Sequence, residues 1–267
     1  MATITASIVN ELRAKTGQGM MECKKMLTET GGDIEKAIEN FRKKGVKGSI
    51  AGRATTEGRV EVLTKGDVAV AVELVCNTDF TAKSEQVEKI AKLAAETLAG
   101  SPSGDLASNA AIKEALVNVS QVTGENVQLG RTAVVQGNVG SYLYSTAGKG
   151  KVGVVLEFAA PASEEIIKSL GMHIVASKPV ALTRADVPAD LVAKERDIAV
   201  DQAKQTGKPQ NIAEKIAEGK LNSFYAERVL LDQEYVRADE FKGTVAALLK
   251  SKGVELKKYT RLEVGQA

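Results

Sequence analysis

The 267-residue sequence predicts an α+β protein, and three observations carry that reading. The apolar period changes from helical to alternating near Gly58. A strand-like run followed by a helix-like run then occurs twice, with matching residue types. Beyond the second copy come two long helical stretches before a closing strand. These divide the chain into a three-helix head at 1–44, a basic linker at 45–57 and a first α+β subdomain at 58–137. A second α+β subdomain takes 138–187 and 237–267, and a helical hairpin takes 188–236.

In the head, Ile4, Ile8, Val9 and Leu12 recur at helical spacing, with Thr3 or Thr5 as the cap. Gly17-Gln18-Gly19 breaks that helix, and Met20, Cys23, Met26 and Leu27 mark the next. Gly31-Gly32 ends it, and Asp33 caps a third helix carrying Ile34, Ala37, Ile38 and Phe41. Two readings of Met20-Met21 stand open. They fill the small core, since Met packs irregular gaps, or they form a partner surface. The run from Arg42 to Arg53 holds five cations, no acid and three glycines, a composition suited to a solvated linker. An RNA-contacting arm is the alternative, though no aromatics are interleaved for base stacking.

Val60 and Val62, a turn at Lys65-Gly66-Asp67, and Val68, Val70, Val72 and Leu74 predict a hairpin. Val87, Ile90, Ala91, Ala94, Ala95 and Leu98 predict the helix that follows, ended by Ser101-Pro102-Ser103-Gly104. Ile112, Ala115, Leu116 and Val119 give another before Gly124. A short strand at Ala133–Val135 leads to Gly140–Tyr144, a turn near Gly148-Lys149-Gly150, and a strand from Val152 to Phe158.

That last strand matches Val68–Leu74 in residue type at an offset of 84 (152 − 68). Its helix, with Ile167, Leu170, Gly171, Ile174 and Val175, matches Val87–Ala95 at an offset of only 80 (167 − 87). The first copy therefore carries four more residues between strand and helix, and they fall in Asn77–Lys83. This stretch holds Thr78, Asp79, Phe80 and Thr81. The bland reading is that Asp79 caps the following helix with Phe80 tucked beneath it. A cap alone needs no insertion, so the stretch is a candidate binding site. After Lys178-Pro179, Pro188 opens a helix that runs to about Thr206. Gly207-Lys208-Pro209 breaks it, Ile212, Ile216 and Leu221 continue a second one, and the pair predicts an antiparallel hairpin. Ala246, Leu248 and Leu249 give a last helix, and Val254 to Val264 a closing strand.

Composition narrows the function classes. Hydrophobic residues at 43% and charged residues at 26% are ordinary for a globular protein, and a net charge of +2 is too mild to point to nucleic acid. Cys23 and Cys76 form no CxxC pair, so buried reduced thiols are expected. The N-terminus lacks a signal-peptide pattern and no apolar run reaches ~20 residues, so the expected location is the cytoplasm or an equivalent organelle. The sequence contains neither a Walker phosphate loop nor a G-x-G-x-x-G motif after a strand. The single histidine, His173, excludes an HExxH site and has no nucleophile elbow beside it. It reads as a satisfied structural residue or an interface donor. No enzyme chemistry is visible, which leaves binding or regulation.

Several stretches together resemble bacterial-type translation elongation factor Ts. They are Thr16–Lys25, Gly32-Asp33-Ile34-Glu35, Thr78-Asp79-Phe80, Gly124-Glu125-Asn126, His173–Pro179 and Arg261–Gly265, in family order over nearly the whole chain. The resemblance implies a ubiquitin-associated-like head, a core of two duplicated α+β subdomains and a helical hairpin. It implies a guanine nucleotide exchange factor that binds the GDP form of elongation factor Tu and destabilises its Mg²⁺ and GDP. No cofactor, covalent chemistry, membrane or direct nucleic acid is implied, and a homodimer is left open. Phe80 would be a wedge between partner helices, and Asp79 would shift the groups holding Mg²⁺, within a contact formed by Thr78, Asp79, Phe80 and Thr81. Met20 and Met21 on the head would contact the partner's G domain, and the region of His173 a separate partner domain. Family members commonly have Val where this chain has Thr81, and some carry a further C-terminal helical module beyond the position of Ala267. The alternative function is an RNA-binding, ribosome-associated protein using the basic linker. Such a protein would lose affinity steeply with salt.

Overall fold

The computed structural model describes residues 4–43, 54–205 and 210–266. Most of the basic linker at 45–57 lies outside the described residues, as does Gly207-Lys208-Pro209. Contacts gather the chain into two compact units. One holds Met1–Val134, Leu143–Gly153 and Leu262–Ala267, and the other Val135–Tyr142 and Val154–Arg261.

The chain begins with α1 (Ala6–Thr16), α2 (Met20–Glu29) and α3 (Ile34–Lys43). Thr5 caps α1 by accepting from the Ile8 N–H, and Asp33 caps α3 by accepting from the Lys36 N–H at 3.0 Å. Val9, Leu12, Cys23, Met26, Leu27, Ala37 and Phe41 form their shared core. On α2 the packed stripe is Cys23, Met26 and Leu27, the i, i+3, i+4 face that meets the other two helices. Met20 and Met21 lie outside it at 51% and 78% exposure, which corrects the core-filling reading.

β1 (Glu57–Lys65) and β2 (Val68–Cys76) form an antiparallel hairpin, with Lys65 opposite Val68 and Glu57 opposite Cys76. The chain continues through α4 (Asp79–Lys83), α5 (Glu85–Gly100) and α6 (Ala110–Thr123) to β3 (Gln128–Gln136), giving the sheet order β1-β2-β3. The first half of β3, Gln128 to Thr132, is too polar to read as a strand, so the sequence shows only its end. Val70, Val72, Ala94, Ala95, Leu98 and Ile112 make one core cluster, and Leu74, Cys76, Val87, Ile90, Ala91 and Val119 another.

In β2 the residues between the alternating valines, Ala69, Ala71 and Glu73, are buried too. The small alanines permit close cover. Gly153 lies so near that a Cβ there would sit 2.5 Å from Val60 Cγ1 and 2.8 Å from Val62 Cγ1. The buried Glu73 carboxylate is paired in this setting, accepting from Arg131 Nε at 2.8 Å and from Nη2 at 3.1 Å.

The second sheet has the order β4-β5-β6, from β4 (Asn138–Thr146), β5 (Lys149–Phe158) and β6 (Leu256–Glu263). α7 (Glu164–Ser177) follows β5 as α5 follows β2. Both copies run hairpin, helix, then a third strand beside the hairpin's second, so the duplicated residue pattern is a duplicated topology. Gly171 brings α7 close to β4, where any Cβ would collide with the Tyr142 ring. α8 (Ala189–Lys204), preceded by Pro188, packs beside α9 (Gln210–Arg228). Ala199, Ala203, Ala217 and Leu221 are buried there, and Lys220 hydrogen-bonds Gln202. α10 (Val245–Ser251) then leads to β6. Among the described residues no helix is long and apolar enough to cross a membrane.

Candidate functional site

The stretch that carries the four extra residues of the first copy forms the short helix α4. In the second copy β5 ends at Phe158 and α7 begins at Glu164, with no helix between. Thr78, at φ −127° and ψ 157°, is the N-cap of α4, its Oγ1 accepting from the Thr81 N–H at 3.3 Å. Ser84 caps α5 by accepting from the Val87 N–H at 3.3 Å. The capping reading of Asp79 is therefore corrected, since both N-cap positions belong to hydroxyl residues. Asp79 is the first residue inside α4 and accepts from Lys83 Nζ at 2.7 Å. The Lys83 ammonium holds the Asp79 carboxyl below the usual carboxylate range. An exposed i,i+4 pair of this kind is weak, so Asp79 is free to exchange it for another partner.

Phe80 is 82% exposed, so it is not tucked beneath the helix. Among the described residues it is the most exposed of the large hydrophobics, while Thr81 and Ala82 beside it are buried. α4 thus turns Thr81 and Ala82 into the core and Phe80 out to solvent.

Neighbouring elements pin this short helix. The Glu125 carboxylate accepts from the Thr78 N–H at 3.0 Å and from the Thr78 hydroxyl at 2.6 Å. The Asn126 N–H donates to Asn77 Oδ1 at 2.7 Å. The Cys76 thiol donates to the Thr78 carbonyl at 3.2 Å, and burial, reinforced by the Glu125 charge, pushes its pKa up to about 11. At the far end, the buried Arg59 donates from Nη1 to the Ala82 carbonyl at 3.4 Å and pairs with Glu88 at 3.2 Å.

His173 belongs to the second unit and is wholly buried. The Val236 N–H donates to Nδ1 at 3.3 Å, which assigns the proton to Nε2, and Nε2 donates to Gln233 Oε1 at 2.9 Å. The ring stacks on Tyr235 with centroids 5.8 Å apart, and burial pushes its pKa below the ordinary 6.5. Gln233 Nε2 donates in turn to the Ser177 and Glu227 carbonyls at 3.2 and 2.7 Å. The ring therefore presents no exposed atom for the direct contact that the resemblance implies. The residue it holds, Val236, is 44% exposed.

A sequence profile of the family described as "Elongation factor TS" matches residues 77–266, a span that includes α4, Glu125 and His173. The chain is 40% identical over 277 residues to Elongation factor Ts of Psychrobacter sp. (strain PRwf-1), covering 100% of this chain and 92% of that protein. Its identity to Elongation factor Ts of Erwinia tasmaniensis is 41% over 270 residues, covering 100% and 93% respectively. That to Elongation factor Ts of Vibrio vulnificus (strain YJ016) is 41% over 267 residues, covering 98% and 92%. The chain belongs to the elongation factor Ts family.

In this elongation factor Ts family member, sequence reasoning finds Thr78, Asp79 and Phe80 but assigns no role to Arg59 or Glu125. Glu125 lies 47 residues from Thr78 in the chain. Its one local signal is Gly124, which ends α6 at φ +69° and turns an acid and an amide back toward the β2–α4 junction. Nothing in the sequence around Arg59 announces its bond to α4.

Proposed function

We propose that this chain is a guanine nucleotide exchange factor for elongation factor Tu, acting by binding, without covalent chemistry, during translation elongation in the cytoplasm. The observation that carries this reading is Phe80, 82% exposed on a helix held at both ends. Membership of the elongation factor Ts family supports the choice of partner.

A GTPase holds GDP through phosphate-loop amides, a Lys and Mg²⁺. An exchange factor must bind the nucleotide-free partner better than the GDP-bound one, and the antagonism is then mutual. Accelerating release about ten-thousand-fold requires about 5.5 kcal/mol, at ~1.36 kcal/mol per tenfold. Burying one Phe gives about 1.5–3 kcal/mol, so Phe80 acts as a wedge within a broader interface. Asp79, released from Lys83, draws on the groups that hold Mg²⁺. Met20 and Met21 supply an adaptable apolar contact on the head. The second unit contributes the Val236 segment that His173 holds in place. Stopped-flow release of a fluorescent GDP from elongation factor Tu tests the proposal. The chain should accelerate release in a saturable manner, and an unchanged rate contradicts it.

A further inference from the structure

We infer that Glu125 is a positioning residue that sets the direction of Phe80 by orienting the Thr78 hydroxyl. The inference rests on the exchange reading above. α4 has five residues, far below the ~12–15 at which an isolated helix becomes marginally stable, so its geometry comes from its neighbours. The Thr78 hydroxyl has one proton to donate, and Glu125 Oε1 takes it at 2.6 Å. That leaves an oxygen lone pair for the Thr81 N–H, which donates to Thr78 Oγ1 at 3.3 Å. The other carboxylate oxygen takes the Thr78 N–H at 3.0 Å. One carboxylate thus fixes the backbone and the hydroxyl of the residue that starts the helix, two positions before Phe80.

Glu125 is itself held. Its N–H donates to Thr123 Oγ1 at 3.2 Å, and its neighbour Asn126 bonds Asn77 at 2.7 Å. Two loops 47 residues apart are joined so that α4 cannot swing on its flanks. An aromatic wedge is useful only in a fixed direction, because small misplacements of an acting group cost rate steeply.

The test measures fluorescent-GDP release from elongation factor Tu across concentrations of Glu125→Ala, Glu125→Gln, Thr78→Val, Phe80→Ala and the Glu125→Ala/Phe80→Ala double variant. Each variant is also melted. Glu125→Ala and Thr78→Val should lower the maximal rate by roughly ten- to one-hundred-fold, with the half-saturating concentration little changed. Glu125→Gln keeps the shape and one acceptor, so it should fall between Glu125→Ala and the parent. The double variant should be no slower than Phe80→Ala, because the two residues act as one unit. Should Glu125→Ala fail to fold, Glu125→Gln decides alone. A maximal rate equal to the parent's in folded Glu125→Gln, or additive losses in the double variant, overturns the inference. Phe80→Ala exchanging like the parent would instead overturn the underlying reading of the site.

Discussion

Phe80 and Thr81 are consecutive residues of one short helix, yet Phe80 is 82% exposed and Thr81 5%. This division separates a residue whose loss spares the fold from one whose loss does not. Thr81→Lys should destabilise the protein by about 2 kcal/mol or more, because it forces an unpaired charge into the core. Phe80→Ala should stay within about 0.5 kcal/mol of the parent. Urea unfolding of the two variants checks both, and equal losses would contradict the placement of α4.

His173 makes stability depend on pH. Its folded pKa lies below the ordinary 6.5 because burial disfavours the charged ring. The unfolded chain therefore binds a proton first as pH falls. The stabilisation is intact above about pH 6.5 and is lost progressively below it, by up to ~1.4 kcal/mol per pH unit. His173→Gln should remove this slope. Melting temperatures of parent and variant between pH 7 and pH 5.5 should diverge least at the acid end, and parallel curves would contradict the buried neutral ring.

Met20 and Met21 are exposed, whereas Met26 lies in the head's core. Replacing both Met20 and Met21 by Ser should leave the melt nearly unchanged and raise the half-saturating concentration for exchange. Met26→Ala should instead cost about 2–5 kcal/mol of stability. A Met20/Met21 double variant with parental half-saturation would remove the head from the proposed interface.

Gly171 lets α7 approach β4 at the Tyr142 ring. Gly171→Ala should cost about 1–3 kcal/mol through overpacking, read from the urea midpoint. An unchanged midpoint would mean that the ring yields freely.

The sequence makes the architecture legible because apolar period reports which face of an element is covered. Val68 to Leu74 and Val152 to Phe158 reveal the duplication, and the offsets of 84 and 80 place the insertion in the stretch that holds α4. What the period does not report is depth. Met20 falls on the expected helical stripe, one turn before Cys23, and still faces solvent. Ala71 alternates with the valines of β2 and is buried as they are, against Gly153, far away in the chain. His173 shows the converse limit, since its partners Gln233 and Val236 are about sixty residues distant and only the fold assembles them. The same applies to Glu125 and Thr78.

Asp79 and Phe80, the outward-facing pair of α4, are proposed to act on a partner and to be dispensable to the scaffold, unlike the buried Thr81 and Ala82. The most direct test of this claim is Asp79→Ala with Phe80→Ala in one chain, melted and then assayed for fluorescent-GDP release from elongation factor Tu at saturating concentration. The exposed wedge and the easily exchanged Asp79–Lys83 pair predict a nearly parental melting temperature and a maximal release rate lowered at least about tenfold. A strongly destabilised double variant whose folded fraction still releases GDP at the parental rate would contradict the claim.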